Sequence, residues 1–184
     1  MPPKLVSDAL LMDRLIEVFR QEGFEGASLA RLQDASGLKR SSLYHRFPDG
    51  KTDMACAVVA EVTKRFGTSI LAATGTDSPL EDRVRDIGRN LMGFYDDGHL
   101  PCLLDSMSIG QPDRGVADLL DQAVRAWINA LAGLSREAGH SRRDAQIRAA
   151  DAVAGIQGAL VLARTTNDRS AFERAIAALP ERLL

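Results

Sequence analysis

Apolar residues recur at intervals of three and four along almost the whole chain. Leu11, Leu15, Val18 and Phe19 form one such stripe between Ser7 and Gly23, which predicts an amphipathic helix from about 8 to 22 with Ser7 as its cap. No alternating strand pattern competes with this spacing. The sequence therefore predicts an all-α fold of about nine helices.

The later helices are predicted from the same periodicity together with local start and stop signals. The second and third are short, and the fourth runs from Lys51 to beyond Leu71. The fifth has Ser78–Glu81 as a capping box with Pro79 at its first position. The remaining predicted helices start near Pro101, after the loop 111–115, near Ser141 and near Asp168, the last of them stopping before Pro180.

Residues 28–51 predict two short helices joined by a tight turn. Ser28 is a suitable cap, and Leu29, Leu32 and Ala35 follow on one face. Gly37 stands where a chain leaving a helix favours a left-handed residue. This order is typical of a helix-turn-helix that enters the DNA major groove.

The second of these helices, from Arg40 to Phe47, has a polar and basic outer face. Leu43 and Phe47 are four residues apart and are predicted to face inward. Between Gly37 and Lys51 the only acid is Asp49. The four bases in that stretch are Lys39, Arg40, Arg46 and Lys51. A local positive charge in a chain of formal net charge -2 indicates phosphate as the partner.

Three segments resemble the signature of the tetracycline-repressor (TetR) family of bacterial transcription regulators. They are Phe24–Leu29, Ala35–Leu38 and Ser42–Pro48, followed by Lys51. The resemblance implies an all-helical homodimer with three amino-terminal helices for DNA and a carboxy-terminal core for a small effector and the partner subunit. The expected division is a DNA-binding domain at 1–50 and an effector-binding and dimerisation domain at 51–184.

The resemblance also implies which side chains contact DNA. Tyr44 and His45 fall on the family's phosphate-contacting aromatic and histidine, and Lys51 on a lysine near the DNA backbone. The base-edge contacts of the family fall on Arg40, Ser41 and Ser42, at the start of the recognition helix. The full predicted DNA-binding set is Ser28, Lys39, Arg40, Ser41, Ser42, Tyr44, His45 and Lys51.

Two positions depart from the family pattern. Lys39 stands where Ser, Thr or Pro is usual, which weakens the helix cap and adds a cation for a phosphate. The Pro48–Lys51 link is one residue longer than the commonest form. It resembles the Pro-Gly-Gly-Lys link of a subgroup that includes drug-responsive repressors.

The predicted eighth helix carries small residues suited to close helix approach, across a twofold axis or within one chain. Its pattern leaves both open, and the family resemblance favours the dimer. The residues predicted for the interface are Ala154, Gly155, Gly158, Val161, Phe172 and Ile176.

An effector site needs apolar walls and a few polar groups. Ordinary core packing is the better explanation of each candidate taken singly, so the prediction concerns the set. Its polar-capable members are Tyr95, Trp127 and Gln157. The full set is Leu91, Phe94, Tyr95, Cys102, Leu103, Met107, Trp127, Ile128, Gln157 and Leu160. The expected effector is a small hydrophobic or amphipathic molecule.

Composition excludes several other classes of protein. Hydrophobic content is 45%, yet no apolar run approaches the roughly 20 residues of a membrane-spanning helix. The segment Met1–Lys4 lacks an apolar signal core, so a cytoplasmic location is expected. The two cysteines, Cys56 and Cys102, are too few for a disulfide framework or, by themselves, a zinc site.

Catalytic motifs fail on spacing. Gly50–Thr52 imitates the end of a phosphate-binding loop, but His45 stands where that loop needs its first glycine. Asp105–Gly110 lacks the first glycine of a nucleophile elbow. We therefore expect no enzyme, cofactor or metal site. The predicted function is a DNA-binding regulator that a small molecule releases from a palindromic operator. A helical ligand-binding or scaffold protein, or a cryptic enzyme, without DNA binding is the alternative.

Overall fold

The structure, a computed structural model, describes residues 6–184, so Met1–Lys4 lies outside the described residues. The described part is helical, with short 3₁₀ turns at Leu71–Gly75 and Asp96–Gly98 and no strand. The helices are α1 Asp8–Gly26, α2 Leu29–Ser36, α3 Arg40–Arg46, α4 Lys51–Ser69, α5 Leu80–Phe94, α6 Leu103–Ser108, α7 Arg114–Glu137, α8 Arg142–Thr166, α9 Ser170–Ala177 and α10 Leu179–Leu183. The all-α prediction is confirmed.

Helix α1 begins as its sequence predicts. The Ser7 hydroxyl accepts a hydrogen bond from the Leu10 amide at 3.2 Å, and the predicted inner stripe is buried. Gly23 leaves helical geometry with φ +68°, which is the predicted stop. One further turn follows, because Phe24 is buried and the segment as far as Gly26 returns to helical geometry.

The described residues fall into two compact units. The first unit comprises residues up to Thr63 together with Leu103–Asp121, and the second unit comprises Lys64–Cys102 together with Gln122–Leu184. In the first unit α6 packs along α1. A Cβ on Gly23 would lie 2.6 Å from the Ser106 carbonyl oxygen. Only glycine allows this approach, which fixes α6 beside α1.

The second unit has its own core, which α5, α8 and the two carboxy-terminal helices α9 and α10 form by packing together. The stripe Val84, Ile87 and Leu91 on α5 is fully buried. Phe172 of α9 packs against Gly98, whose absent Cβ would lie 3.1 Å from the Phe172 ring. Burying these side chains anchors α9 in the same core as α5.

Four local predictions were wrong. Ser78 does not cap α5, because Pro79 is the cap residue and the helix begins at Leu80. Helix α4 ends at Ser69, and 3₁₀ geometry follows at Leu71. Leu29 is 41% exposed although it was predicted to share one apolar face of α2 with Leu32, which is fully buried. Residues beyond Ala177 form a tenth helix, in which Pro180 occupies the first turn, where its missing N–H has no helical partner to lose.

No helix in residues 6–184 combines the length and the apolar character that crossing a membrane requires.

Candidate nucleic-acid interface and effector site

The outer face of α3 is exposed and rich in hydrogen-bond donors. Leu43 is 1% exposed and holds the helix to the first unit. Tyr44 is half-buried, and the Arg40 guanidinium carbon lies 5.5 Å from its ring centroid, a cation–π distance. The structure thus brings Arg40 and Tyr44 together. On α3 and immediately before it, the predicted residues that the structure leaves exposed are Lys39, Arg40, Ser41, Ser42 and His45.

The turn between α2 and α3 fixes the angle of α3. Gly37 adopts the predicted left-handed conformation, φ +68° and ψ +14°. Ser36, which was not among the predicted site residues, is fully buried. Its hydroxyl donates to the Gln33 carbonyl at 2.7 Å and accepts from the Leu38 amide at 3.1 Å. The tendency of serine to bond to nearby backbone groups was the available signal.

Ser28 and Lys51, both predicted to contact DNA, make internal contacts. The Ser28 hydroxyl accepts from the Arg31 amide at 3.2 Å, which confirms its capping role, and its side chain is exposed. The Lys51 ammonium donates to the Phe24 carbonyl at 2.9 Å and lies 4.4 Å from the Phe24 ring centroid. Lys51 therefore fastens the start of α4 to the end of α1, which leaves its ammonium less available to phosphate than the exposed cations of α3.

A small groove of about 160 Å³ separates α2 from α3. It is lined partly by Arg40 and Tyr44, so it adjoins the predicted base-reading residues. Leu29 and Gln33 also line it, and neither was predicted as a site residue. An apolar wall beside a donor such as Arg40 suits a base edge, including the methyl group of thymine.

Ion pairs neutralise some of the cations near α3 in the first unit and leave others available to phosphate. Arg46 pairs with Asp8, and Arg31 pairs with Glu22 at 2.9 Å. In residues 6–184, Lys39 and Arg40 form no such pair. Lys39 and Arg40 therefore carry uncompensated positive charge at the start of α3, where the helix presents its exposed donors.

The start of α4 lies in an acidic setting in the first unit. The Thr52 hydroxyl donates to Asp113, and Cys56 is half-buried on the same helix. Burial raises the pKa of the Cys56 thiol, and the carboxylates of Asp53 and Asp113 raise it further. The thiol is thus kept neutral and is a poor nucleophile.

The polar candidates of the effector site meet at one thiol in the second unit. The Tyr95 hydroxyl lies 3.6 Å from the Cys102 sulfur, and the Gln157 amide nitrogen lies 3.4 Å from it. Both groups donate to this sulfur, so we call Tyr95, Cys102 and Gln157 the thiol cluster. The structure therefore places two predicted candidates, Tyr95 and Gln157, against a third, Cys102.

Aromatic rings extend from the thiol cluster through the second unit. The rings of Trp127 and Phe66, of Phe66 and Phe94, and of Phe94 and Tyr95 have centroids 4.9, 5.3 and 5.2 Å apart, each pair edge to face. We call these four residues the aromatic row. Phe66 of α4 was not among the predicted effector residues, because its neighbours Phe94 and Trp127 come from helices distant in sequence.

The other effector candidates are buried or half-buried. Leu91 and Leu160 are buried and Ile128 is half-buried in the second unit, whereas Leu103 and Met107 are buried on α6 in the first unit.

The six interface candidates divide into two groups. Phe172 is fully buried, Ile176 touches the position of a Gly88 Cβ at 3.0 Å, and a Cβ on Gly155 would meet the Arg182 side chain at 2.3 Å. These three pack within the second unit. Ala154, Gly158 and Val161 are exposed on α8.

In the described part of the chain, no group of three or more His, Cys, Asp or Glu side chains is arranged to hold a metal ion.

Two family models match this sequence. Residues 11–58 match the model of bacterial regulatory proteins of the TetR family, and residues 100–178 match the carboxy-terminal domain of LmrA/YxaF-like transcriptional regulators. Together they cover well over half of the chain. The sequence is also 20% identical over 177 residues to the HTH-type transcriptional regulator LmrA of Bacillus subtilis, covering 94% of each protein.

Solved structures share the fold. A TetR transcriptional regulator from Legionella pneumophila matches with a TM-score of 0.84 at 16% identity, covering 98% of this chain and all of that one. A second match is the TetR family regulator CifR, a cysteine mutant in complex with a 26-base-pair operator DNA. It has a TM-score of 0.77 at 23% identity, covering 98% of this chain and 97% of that one.

Proposed function

Because the chain belongs to the TetR family of DNA-binding transcription regulators, we propose that it is a repressor which a small molecule releases from its operator. It acts through DNA contacts and not through catalysis. We place it in the cytoplasm, where operator DNA is accessible.

The observation that carries this proposal is the outer face of α3. Lys39, Arg40, Ser41, Ser42 and His45 are exposed together on one short helix, which the buried Leu43 and the Ser36 turn hold at a fixed angle. Arg40 reads a guanine edge, and Tyr44 and His45 contact phosphates. A base-reading helix anchored this way is the recognition helix of a helix-turn-helix.

We further propose that two copies bind a palindromic operator. One recognition helix reads a half-site, and a twofold dimer places the second recognition helix about 34–36 Å away, one turn of duplex further on. The exposed residues Ala154, Gly158 and Val161 of α8 supply the apolar part of the dimer surface.

The effector binds at the aromatic row and the thiol cluster of the second unit. Helix α4 has residues in both units, including Phe66 of the aromatic row. A ligand that displaces Phe66 therefore acts on the helix whose first residue, Lys51, is fastened to α1. We propose that this displacement lowers DNA affinity. The Pro48–Lys51 link is consistent with a drug-like effector.

Titration of genomic DNA fragments with the full chain tests the function. Fragments selected by the protein from sheared genomic DNA are compared, by fluorescence polarisation, with shuffled sequences of the same length. At about 50 mM salt the selected fragment should bind at least tenfold more tightly than the shuffled one, and both affinities should fall as salt is raised to about 200 mM. Equal affinity for both sequences would contradict a sequence-specific regulator.

A further inference from the structure

The groove between α2 and α3, here called the α2–α3 groove, has mostly apolar walls. Its volume is about 160 Å³, and it is lined by Leu29, Ala30, Gln33, Arg40, Leu43 and Tyr44. Within residues 6–184, no carboxylate lines it. A methyl group is about the size of a water molecule, whose share of liquid volume is about 30 Å³. The groove therefore has room for a methyl group without movement of its walls.

Leu29 exposes apolar surface in this groove. It is 41% exposed at the first position of α2, whereas Leu32, one turn later, is fully buried. A Cβ on Gly50 would lie 3.7 Å from Leu29 Cδ2 and 3.6 Å from Tyr44 Cε1. Leu29 and Tyr44 therefore converge on the same point and form one apolar wall. Covering the rest of that wall with an apolar group would be favourable.

Thymine is the base that offers DNA's apolar group to such a wall. In the major groove, its C5-methyl is apolar, whereas the other groups that distinguish base pairs are hydrogen-bond donors or acceptors. Burying one of those against Leu29 without a partner would be costly. The apolar lining thus selects the methyl group of thymine.

The position of Arg40 indicates which thymine is meant. Arg40 lines the groove, and its guanidinium carbon lies 5.5 Å from the Tyr44 ring centroid. Successive base pairs are about 3.4 Å apart, which is less than this separation. When Arg40 binds a guanine edge, the groove therefore faces a neighbouring base pair.

We propose that the α2–α3 groove binds the C5-methyl group of a thymine next to the guanine that Arg40 reads, and that Leu29 is a specificity-determining residue. The inference rests on the proposed function and adds a second base to it, read from α2 as well as α3. Because the groove contacts the methyl group and not the rest of the base, 5-methylcytosine in the same place should also fill it.

Replacing thymine by uracil tests the contact, since it removes only the methyl group and keeps the base pair. Operator duplexes with one thymine replaced in each half-site, one position at a time, are titrated with the full chain by fluorescence polarisation. The thymine beside the base pair at which Arg40→Ala loses its preference should respond. Its loss should be about fourfold per half-site, the worth of one methyl group removed from water. Uracil at the other thymines should leave the affinity unchanged.

A cytosine–guanine pair at the responsive position gives the converse test. Methylating that cytosine at C5 adds the same methyl group to a different base. Binding should become about fourfold tighter per half-site than to the unmethylated pair. Methylation of cytosines elsewhere in the duplex should have no such effect.

Leu29→Ala removes the wall from the protein side. The side chain is exposed and alanine favours helix, so the variant should fold. Its preference for thymine over uracil should largely disappear. Leu10→Ala is the matched control, because Leu10 is a leucine of α1 that is 44% exposed and does not line the groove. This control should keep the full preference.

The proposal is overturned if no thymine of the selected operator responds to uracil, or if the responsive thymine is not next to the base pair that Arg40 reads. It is also overturned if methylating the cytosine adds nothing, or if the preference survives in Leu29→Ala. Failure of the proposed function has a different signature, because selected and shuffled DNA would then bind equally, whichever base replaces thymine.

Discussion

Arg40 and Tyr44 are expected to act together on DNA, because the Tyr44 ring lies beneath the Arg40 guanidinium at 5.5 Å. Arg40→Ala should weaken binding to the preferred operator by about 1–3 kcal/mol and relax the preference at one base pair. Tyr44→Ala should weaken binding to all DNA sequences, since it removes a phosphate contact, and should also relax the base preference, since it removes the ring beneath Arg40. Polarisation titrations with the operator and its single-base variants measure both effects.

Tyr44→Phe is the matched control for this pair. It keeps the ring under Arg40 and removes only the hydroxyl, so it should weaken all sequences while leaving base preference unchanged. If Arg40→Ala and Tyr44→Ala both bind as the unaltered protein does, the assignment of α3 as the recognition helix is wrong.

The Cys56 thiol should ionise only at unusually high pH. Burial and the nearby Asp53 and Asp113 raise its pKa above the ordinary 9.0. The rate of Cys56 alkylation by iodoacetamide, followed by peptide mass spectrometry, should begin to rise at a higher pH than the rate for a free thiol. Asp113→Asn should move the alkylation curve of Cys56 to lower pH, but not as far as the curve of a free thiol, because burial is the larger cause of the raised pKa.

The same pKa shift has a consequence for stability. Since the thiol ionises more readily in the unfolded chain, its stabilising contribution is complete below pH 9.0 and is lost as pH rises through the folded-state pKa. An alkylation curve for Cys56 that coincides with that of a free thiol would contradict this description of the site.

At the element scale, α6 is held to α1 by a contact that only glycine permits. Gly23→Ala would put a Cβ 2.6 Å from the Ser106 carbonyl oxygen at a φ of +68°. We expect a loss of about 1–3 kcal/mol in the free energy of unfolding, measured by urea denaturation. Gly67→Ala on α4 has open space around it and should be neutral or stabilising by up to about 1 kcal/mol. Equal stability of Gly23→Ala and Gly67→Ala would show that the α1–α6 contact accommodates the added methyl group without a loss of stability.

Elements whose signals are local were predictable from sequence. Ser7, Ser28 and Ser141 cap α1, α2 and α8, because a capping hydroxyl needs only the amide three residues ahead. Gly37 ends α2 for a similarly local reason. Pro79 shows how two local signals conflict: it takes the cap position itself, which leaves Ser78 outside the helix.

Features that depend on tertiary contacts were not predictable. The Phe24 carbonyl that binds Lys51 lies 27 residues away, and no pattern within α4 points to it. The thiol cluster joins Cys102 to Gln157, 55 residues apart. The sequence supplied both side chains as candidates, but only the fold shows that they meet.

At the scale of the whole molecule, the proposed function requires two copies of the chain joined through α8. Gly158 is exposed with no heavy atom within 4 Å of a would-be Cβ, so Gly158→Glu fits one protomer but buries a charge in the proposed interface. Sedimentation should show monomers with weakened operator binding. Gly133→Glu adds the same charge at an exposed, open glycine of α7 and should remain dimeric. A dimeric Gly158→Glu protein would place the interface elsewhere.

Hydroxyl-radical footprinting of the full chain on a selected operator tests most directly whether paired α3 helices read DNA. Reading by paired α3 helices predicts two protected half-sites related by a twofold axis, with centres about one helical turn or 10–10.5 base pairs apart. Both half-sites should lose their protection in Tyr44→Ala. A single unpaired protected site, or protection that persists in Tyr44→Ala, would contradict it.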